Sequence, residues 1–152
     1  MITYIKQNLI DVSEGIVAHG VNCQGAMGSG VAKALVTKYP KIFGSYSLLC
    51  DLPAEELLGE VVPVQINEKL YIANCFTQNF YGRNIGRRYA DPKAIEKCMD
   101  NLIPLTYETK LSIYMPKIGC GLGGLSWEND VESIIGYHSK RVYGSNIYVC
   151  DL

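Results

Sequence analysis

The sequence is poor in the features that most quickly betray a function. Its formal net charge is −1, with 14 Lys and Arg against 15 Asp and Glu, which leaves no global field to draw in nucleic acid. No apolar run approaches the roughly 18 residues a bilayer span needs, and no leader-like segment opens the chain. The six cysteines stand singly at positions 23, 50, 75, 98, 120 and 150 without a C-x-x-C pair, so neither a disulfide framework nor a clustered zinc site is expected. These absences predict a cytoplasmic protein with reduced thiols and no membrane partner. Only two histidines occur, and no pair of carboxylates is spaced for acid-base work. There is no G-x-x-x-x-G-K-[ST] loop and no G-x-G-x-x-G with an acidic ribose partner, which argues against a nucleotide triphosphatase and an ordinary Rossmann dehydrogenase. Internal repeats and low-complexity segments are lacking as well.

What is present is an ordinary globular composition, 48% hydrophobic and 19% charged over 152 residues, which suits a single domain spanning 1–152. Two glycine-rich turns stand out. The first, Val21-Asn22-Cys23-Gln24-Gly25-Ala26-Met27-Gly28-Ser29-Gly30, lies between the apolar run 15–18 and a helical pattern starting at Val31. The second, Ile118-Gly119-Cys120-Gly121-Leu122-Gly123-Gly124-Leu125, lies between the apolar run 111–116 and a helix expected from Trp127. Glycine lets backbone approach a ligand closely, and amides at a helix start favour anions, so each turn reads as a phosphate cradle. Two such cradles suit a ligand with two linked phosphates.

In chain order, residues 1–10 open with a strand that Gln7-Asn8 ends, and 15–21 form a buried, β-branched strand. Val31, Ala32, Leu35, Val36 and Tyr39 recur at helical spacing until Pro40, and 42–50 carries a short helix with Ile42, Tyr46 and Leu49 inward. Asp51-Leu52-Pro53 reads as a break, followed by a hairpin of 58–66 and 70–76. After a polar loop over 77–90, Asp91-Pro92 caps a helix that Pro104 is expected to end or kink. A strand over 111–115, a helix capped by Ser126 with Val131, Ile134, Ile135 and His138 inward, and a strand over 146–150 complete the chain. Alternating strands and helices predict an α/β fold with helices on both faces of a mixed sheet, and both glycine turns fall at carboxyl ends of strands, where such sheets bind ligands.

The two turns together, Val21-Asn22-Cys23-x-Gly25-x-Met27-Gly28-x-Gly30-Val31-Ala32 and Pro116-x-Ile118-Gly119-Cys120-Gly121-Leu122-Gly123-Gly124-Leu125-x-Trp127, resemble those of macrodomains, the ADP-ribose-binding fold. The likeness runs nearly end to end and includes Gln7-Asn8-Leu9, where the family usually has Gly-Asp-Ile. It implies a three-layer α/β/α domain with a mixed central sheet that binds ADP-ribose. By resemblance, Asn8 and the Leu9 amide would contact the adenine edge, the second turn (Ile118, Gly119, Cys120, Gly121, Leu122, Gly123) would hold the diphosphate, and the first (Asn22, Gln24, Gly25, Met27, Gly28, Ser29, Gly30, Val31) would hold the far ribose and phosphate. Asn22 would hydrogen-bond that ribose, the alternative being a turn residue that satisfies its own backbone.

The segment Ala18-His19-Gly20-Val21-Asn22-Cys23-Gln24-Gly25 is similar to that of the yeast-type ADP-ribose-1″-phosphate phosphatases and also resembles the deacylating and DNA ADP-ribosyl glycohydrolase macrodomains. The latter use a lysine in a Thr-Lys context where this chain has Thr77-Gln78-Asn79, and some use an aspartate where it has Gly123. The expected activity is therefore hydrolysis of ADP-ribose-1″-phosphate, without metal or cofactor. Removal of ADP-ribose from protein or nucleic acid, or binding of ADP-ribose without catalysis, are the alternatives. His19 is the expected acid-base residue, weighed against a buried structural histidine, and His138 is expected to be structural. Cys23 and Cys120 are read as small turn residues. Arg83, Arg87 and Arg88 beside Tyr81 and Tyr89 make a basic patch, either a solvated loop or a contact for a phosphate-bearing partner.

Overall fold

A computed structural model of the protein describes residues 1–151. Six strands form one sheet in the order β1-β6-β5-β2-β4-β3: β1 Ile2–Ile5, β2 Gly15–Asn22, β3 Val61–Asn67, β4 Leu70–Gln78, β5 Ile113–Met115 and β6 Ile147–Cys150. Neighbours pair in parallel except β3 and β4, which form the expected hairpin around Glu68 and Lys69. The carboxyl ends of β1, β6, β5, β2 and β4 therefore share one edge of the sheet.

The strands bury both faces, which is why β2 and β4 read as near-continuous apolar runs. Ile16 and Ala18 of β2, with Ala73 and Cys75 of β4, face one core beneath α4 (Pro92–Thr109) and α5 (Glu132–Ser139). Val17 and Val21, with Leu70, Ile72 and Phe76, face the other. There they meet α1 (Gly30–Lys38), α2 (Ile42–Leu49), α3 (Ala54–Leu57) and a 3-10 turn, Leu9–Asp11. The mixed sheet with helices on both faces is the expected architecture.

Local chemistry explains most boundaries. Asp91 accepts a hydrogen bond from the Lys93 amide at 2.9 Å, and Pro92 occupies the first turn of α4. Ser126 and Asp130 form a reciprocal cap: Ser126 Oγ accepts from the Asn129 amide at 3.2 Å and Asp130 Oδ2 from the Ser126 amide at 2.8 Å. This starts a single π-helical turn, Trp127–Val131, that leads into α5. Three expectations differ from the structure. The opening strand is only Ile2–Ile5. The presumed break at 51–53 is followed directly by α3, with Pro53 as its cap and Glu55 and Glu56 in its first turn, a favourable placement at a helix amino end. Pro104 does not end α4, which continues to Thr109; it lies exposed, so the missing proline N–H leaves only a carbonyl for water to satisfy.

Among the described residues no helix is long and apolar enough to cross a membrane. All six cysteines are free.

Candidate functional site

Both glycine turns open onto one cleft of about 790 Å³ along the shared carboxyl edge, within the range of small-molecule sites. Its walls are Gly20, Val21 and Asn22 at the end of β2, Ala26 in the first turn, Gly28 to Ala32 at the start of α1, Thr77 and Gln78 at the end of β4, Tyr81 to Arg83 beyond it, and residues 116–119 and 121–123 of the second turn. Arg83 and Lys117 are the charged residues of this lining, and it contains no carboxylate and no histidine. The cleft is chemically a place for an anion.

Backbone amides supply most of the donors. α1 begins at Gly30 with Ser29 as a cap whose side chain makes no capping bond. The amides of Gly30, Val31 and Ala32 at the mouth of the helix are thus left for a ligand, where the dipole favours negative charge. In the second turn Cys120 N bonds Lys117 O and Gly124 N bonds Gly121 O. The amides of Gly121, Leu122 and Gly123 have no protein acceptor among the described residues, and all three residues line the cleft, a run of unpaired N–H groups of the kind that binds anions.

The glycines divide into two kinds. Gly119 has φ +79, and a Cβ on Gly123 would stand 2.5 Å from the Gly119 carbonyl oxygen, so the fold itself needs these two. A Cβ on Gly28 or Gly121 would meet no heavy atom within 4 Å, and neither residue has positive φ. Among the described residues nothing requires glycine there, and both border the cleft.

The first turn is shaped by Asn22. Its Oδ1 accepts from the Gln24 amide at 2.9 Å, the Ala26 amide at 3.3 Å and the Tyr46 hydroxyl at 2.9 Å, while Nδ2 donates to the Ala26 carbonyl at 2.8 Å. The expected ribose ligand is thus chiefly the turn-former of the alternative reading, with one N–H left over. Tyr46, reaching up from α2, shares that one O–H hydrogen between Asn22 Oδ1 and the Asn22 carbonyl, which lies 2.8 Å from its hydroxyl. Burial pushes its phenol far above the ordinary range, so it remains a donor. Tyr46 was expected only as an inward-facing residue, because a hydrogen bond between α2 and the end of β2 leaves no periodic trace. Gln24, Gly25, Met27 and Cys120 belong to the turns but not to the cleft wall. Gly25 supplies φ +73, Met27 packs in the core, and Gln24 Nε2 donates to Asn79 Oδ1 at 2.9 Å.

His19 is not where its expected role requires. It does not line the cleft, its side chain is wholly buried on the α2 face of β2, and its Nε2 donates to Asn74 Oδ1 at 2.6 Å. Asn74 in turn donates to the Ile42 carbonyl at 3.0 Å, at the first residue of α2. Desolvation lowers the imidazole pKa to about 4, against the opposing Asn74 bond. A neutral, enclosed ring ties β2, β4 and α2 together and has no path to a substrate. The apolar neighbours Val17, Ala18 and Val21 were the available signal. His138 is also buried, beside Arg141 at 2.9 Å, in the structural place expected for it. Burial holds the Cys23 and Cys120 thiols up at about 11, which leaves them protonated and poor nucleophiles.

Asn8 caps the 3-10 turn, accepting from the Ile10 amide at 3.2 Å, and its Nδ2 has no acceptor among the described residues, while Leu9 is buried. Neither lines the main cleft, but a shallow recess bounded by Ile10, Lys33, Ala34, Thr37 and Lys38 adjoins it at Gly30. Asn8 follows β1 and Gln78 closes β4, four strand intervals apart in the sheet order, which at about 4.8 Å each is about 19 Å.

These features define an α/β domain with paired amide cradles for an anionic ligand at a strand edge. The chain belongs to the macro domain family, whose model matches residues 18–135. It is 31% identical over 168 residues to a protein named ADP-ribose 1″-phosphate phosphatase from Candida albicans, covering 98% of this chain and 99% of that one. It is 32% identical over 136 residues to a DNA ADP-ribosyl glycohydrolase of Mycobacterium tuberculosis, covering 87% of this chain and 37% of the longer relative. A solved structure of a Bacteroides thetaiotaomicron protein of unknown function superposes with TM-score 0.85 at 30% identity, covering 100% of this chain and 98% of that one.

Proposed function

We propose that this protein binds ADP-ribose in the cleft and hydrolyses ADP-ribose-1″-phosphate to ADP-ribose and orthophosphate, acting as one domain in the cytoplasm. The observation that carries the reading is the pair of amide cradles on one cleft, with Gly28 in the first and Gly121 in the second, residues that no described part of the fold requires to be glycine. One diphosphate held between the cradles leaves the adenosine toward Asn8 and the far ribose toward Gln78. Asn8 Nδ2 and the Leu9 amide then serve the base, and the spare Asn22 N–H serves the far ribose. The relative from Candida albicans, matched over nearly its full length, bears the name of this activity.

With no histidine or carboxylate in the cleft lining, catalysis rests on positioning the ester and on fixed dipoles and cations around its phosphate. Orthophosphate release from ADP-ribose-1″-phosphate tests the activity, and absence of release sinks it. Titration with ADP-ribose and AMP tests the cradles: ADP-ribose should bind at least about tenfold more tightly, because AMP offers one phosphate to two sites.

A second reading, removal of ADP-ribose from protein or nucleic acid, is favoured by the DNA ADP-ribosyl glycohydrolase that matches 87% of this chain. Gln78 weighs against it, since an uncharged amide stands where the resemblance to that branch calls for lysine. Loss of label from ADP-ribosylated DNA or protein, run beside the phosphate assay, separates the two.

A further inference from the structure

The loop between β4 and α4 carries three arginines, and their partners differ. Arg88 pairs with Asp130 at 3.0 Å, and Arg87 lies over the Tyr89 ring at 4.8 Å. Lys117, the other cation of the cleft wall, pairs with Asp151 at 3.4 Å. Arg83 lines the cleft and makes no ion pair among the described residues.

The loop that bears it is built rather than loose. Gln78 and Ala90 form a bridge across its base, and the Tyr89 and Ala90 amides both donate to the Gly123 carbonyl, at 2.8 and 3.0 Å. Residues on both sides of Arg83 rest on Tyr89: a Cβ on Gly82 would lie 2.2 Å from the Tyr89 hydroxyl oxygen, and the Asn84 amide donates to that oxygen at 3.4 Å. Arg83 thus projects from a segment anchored to the second phosphate turn.

Its position in the sheet matters. The two glycine turns follow β5 and β2, whereas Arg83 follows β4, one strand further from the Asn8 end. A diphosphate over the turns leaves the far ribose and any group on it at the β4 end. We propose that Arg83 forms a separate phosphomonoester subsite there, one that distinguishes ADP-ribose-1″-phosphate from ADP-ribose. The inference rests on the proposed ligand. A guanidinium suits this work because its planar fork meets two oxygens of a phosphate dianion at once, and it stays charged at every relevant pH.

The experiment compares wild type, Arg83→Gln and Arg83→Lys by equilibrium titration with ADP-ribose and by initial rates on ADP-ribose-1″-phosphate. Arg83→Gln loses a hydrogen-bonded charge and should raise KM for the phosphorylated ligand by about 10- to 150-fold. Its Kd for ADP-ribose should stay within about threefold of wild type. Arg83→Lys should recover part of the loss, and added salt should weaken wild type more than Arg83→Gln. If Arg83→Gln weakens both ligands equally, or neither, the subsite is refuted. If wild type releases no orthophosphate, the hydrolytic reading fails by itself, and titration with the intact phosphorylated ligand decides the subsite. A preference over ADP-ribose that Arg83→Gln abolishes sustains it, and equal binding by wild type overturns it.

Discussion

Replacing Gly121 by valine puts a branched side chain where the structure has open space, with no heavy atom within 4 Å of the new Cβ and no positive φ to strain. Away from any packed feature, such a change moves stability by no more than about 0.5 kcal/mol, and the lower entropy of the unfolded chain acts in the stabilising direction. The same branch stands at the cleft wall, beside the free amides of Leu122 and Gly123. Blocking one hydrogen bond from such an amide to a phosphate oxygen costs about 1.5 to 3 kcal/mol, or about 10- to 150-fold in Kd at 1.4 kcal/mol per decade. Gly123→Ala is the contrasting variant, because its Cβ would lie 2.5 Å from the Gly119 carbonyl oxygen and 2.9 Å from the carbonyl carbon. Backbone cannot swing aside as a side-chain tip does, so overpacking of about 1 to 3 kcal/mol is expected there. Calorimetric titration with ADP-ribose and urea denaturation, run on both variants, separate the effects: Gly121→Val should fold normally and bind poorly, whereas Gly123→Ala should lose stability first. Wild-type affinity in Gly121→Val would refute the second turn as a phosphate cradle, and a large loss of stability in that variant would refute the assignment of its glycine to the ligand.

Three further outcomes follow from the buried polar groups and the first turn. His19 is favoured neutral in the fold, so its contribution is complete above its unfolded pKa of about 6.5 and declines as pH falls toward about 4; at 1.36 kcal/mol per unit this amounts to roughly 3 kcal/mol. Urea denaturation at pH 7 and pH 4.5 should show wild type losing more stability than His19→Gln, and an NMR titration of the ring that inflects near 6.5 would overturn the placement. Tyr46→Phe removes the hydroxyl shared by the carbonyl and side chain of Asn22, which should cost about 1 to 2 kcal/mol in urea unfolding and weaken ADP-ribose binding; an unchanged protein would show that the turn holds its shape without α2. Gly28→Val should behave as Gly121→Val does, folding normally and losing affinity in the same titration, and retained affinity would remove the first turn from the ligand.

The elements legible in the sequence were those whose signal is local. Unbroken apolar runs marked β2 and β4 because both faces of those strands are covered, and the glycine turns announced themselves because backbone approach has few other solutions. α3 does not stand out although Pro53 followed by Glu55 and Glu56 is a helix start, since a proline close after Asp51 reads equally as a break. The harder losses came from contacts between distant segments. Nothing near Tyr46 says that its hydroxyl will meet Asn22, 24 residues away in the chain. Likewise, a histidine three residues from a glycine-rich turn looks catalytic until the alternation of β2 is seen to carry it beneath α2 instead. Arg83 was visible as part of a basic patch, but its place on the cleft wall depends on the order of strands.

The anchoring of the 79–90 loop bears on how such proteins diversify. Its stem is held by the Gln78 and Ala90 bridge, by the Gly123 carbonyl, and by Asn79, whose carbonyl accepts from the Cys23 amide and whose Oδ1 accepts from Gln24 Nε2, while residues 80–88 bury nothing in either core. Chain can be lengthened, shortened or recoloured between those fixed points with the scaffold intact. The wall that the loop gives the cleft beyond β4 is therefore separable from the glycine turns on β2 and β5, so a change of side chains there leaves the backbone amides of those turns in place.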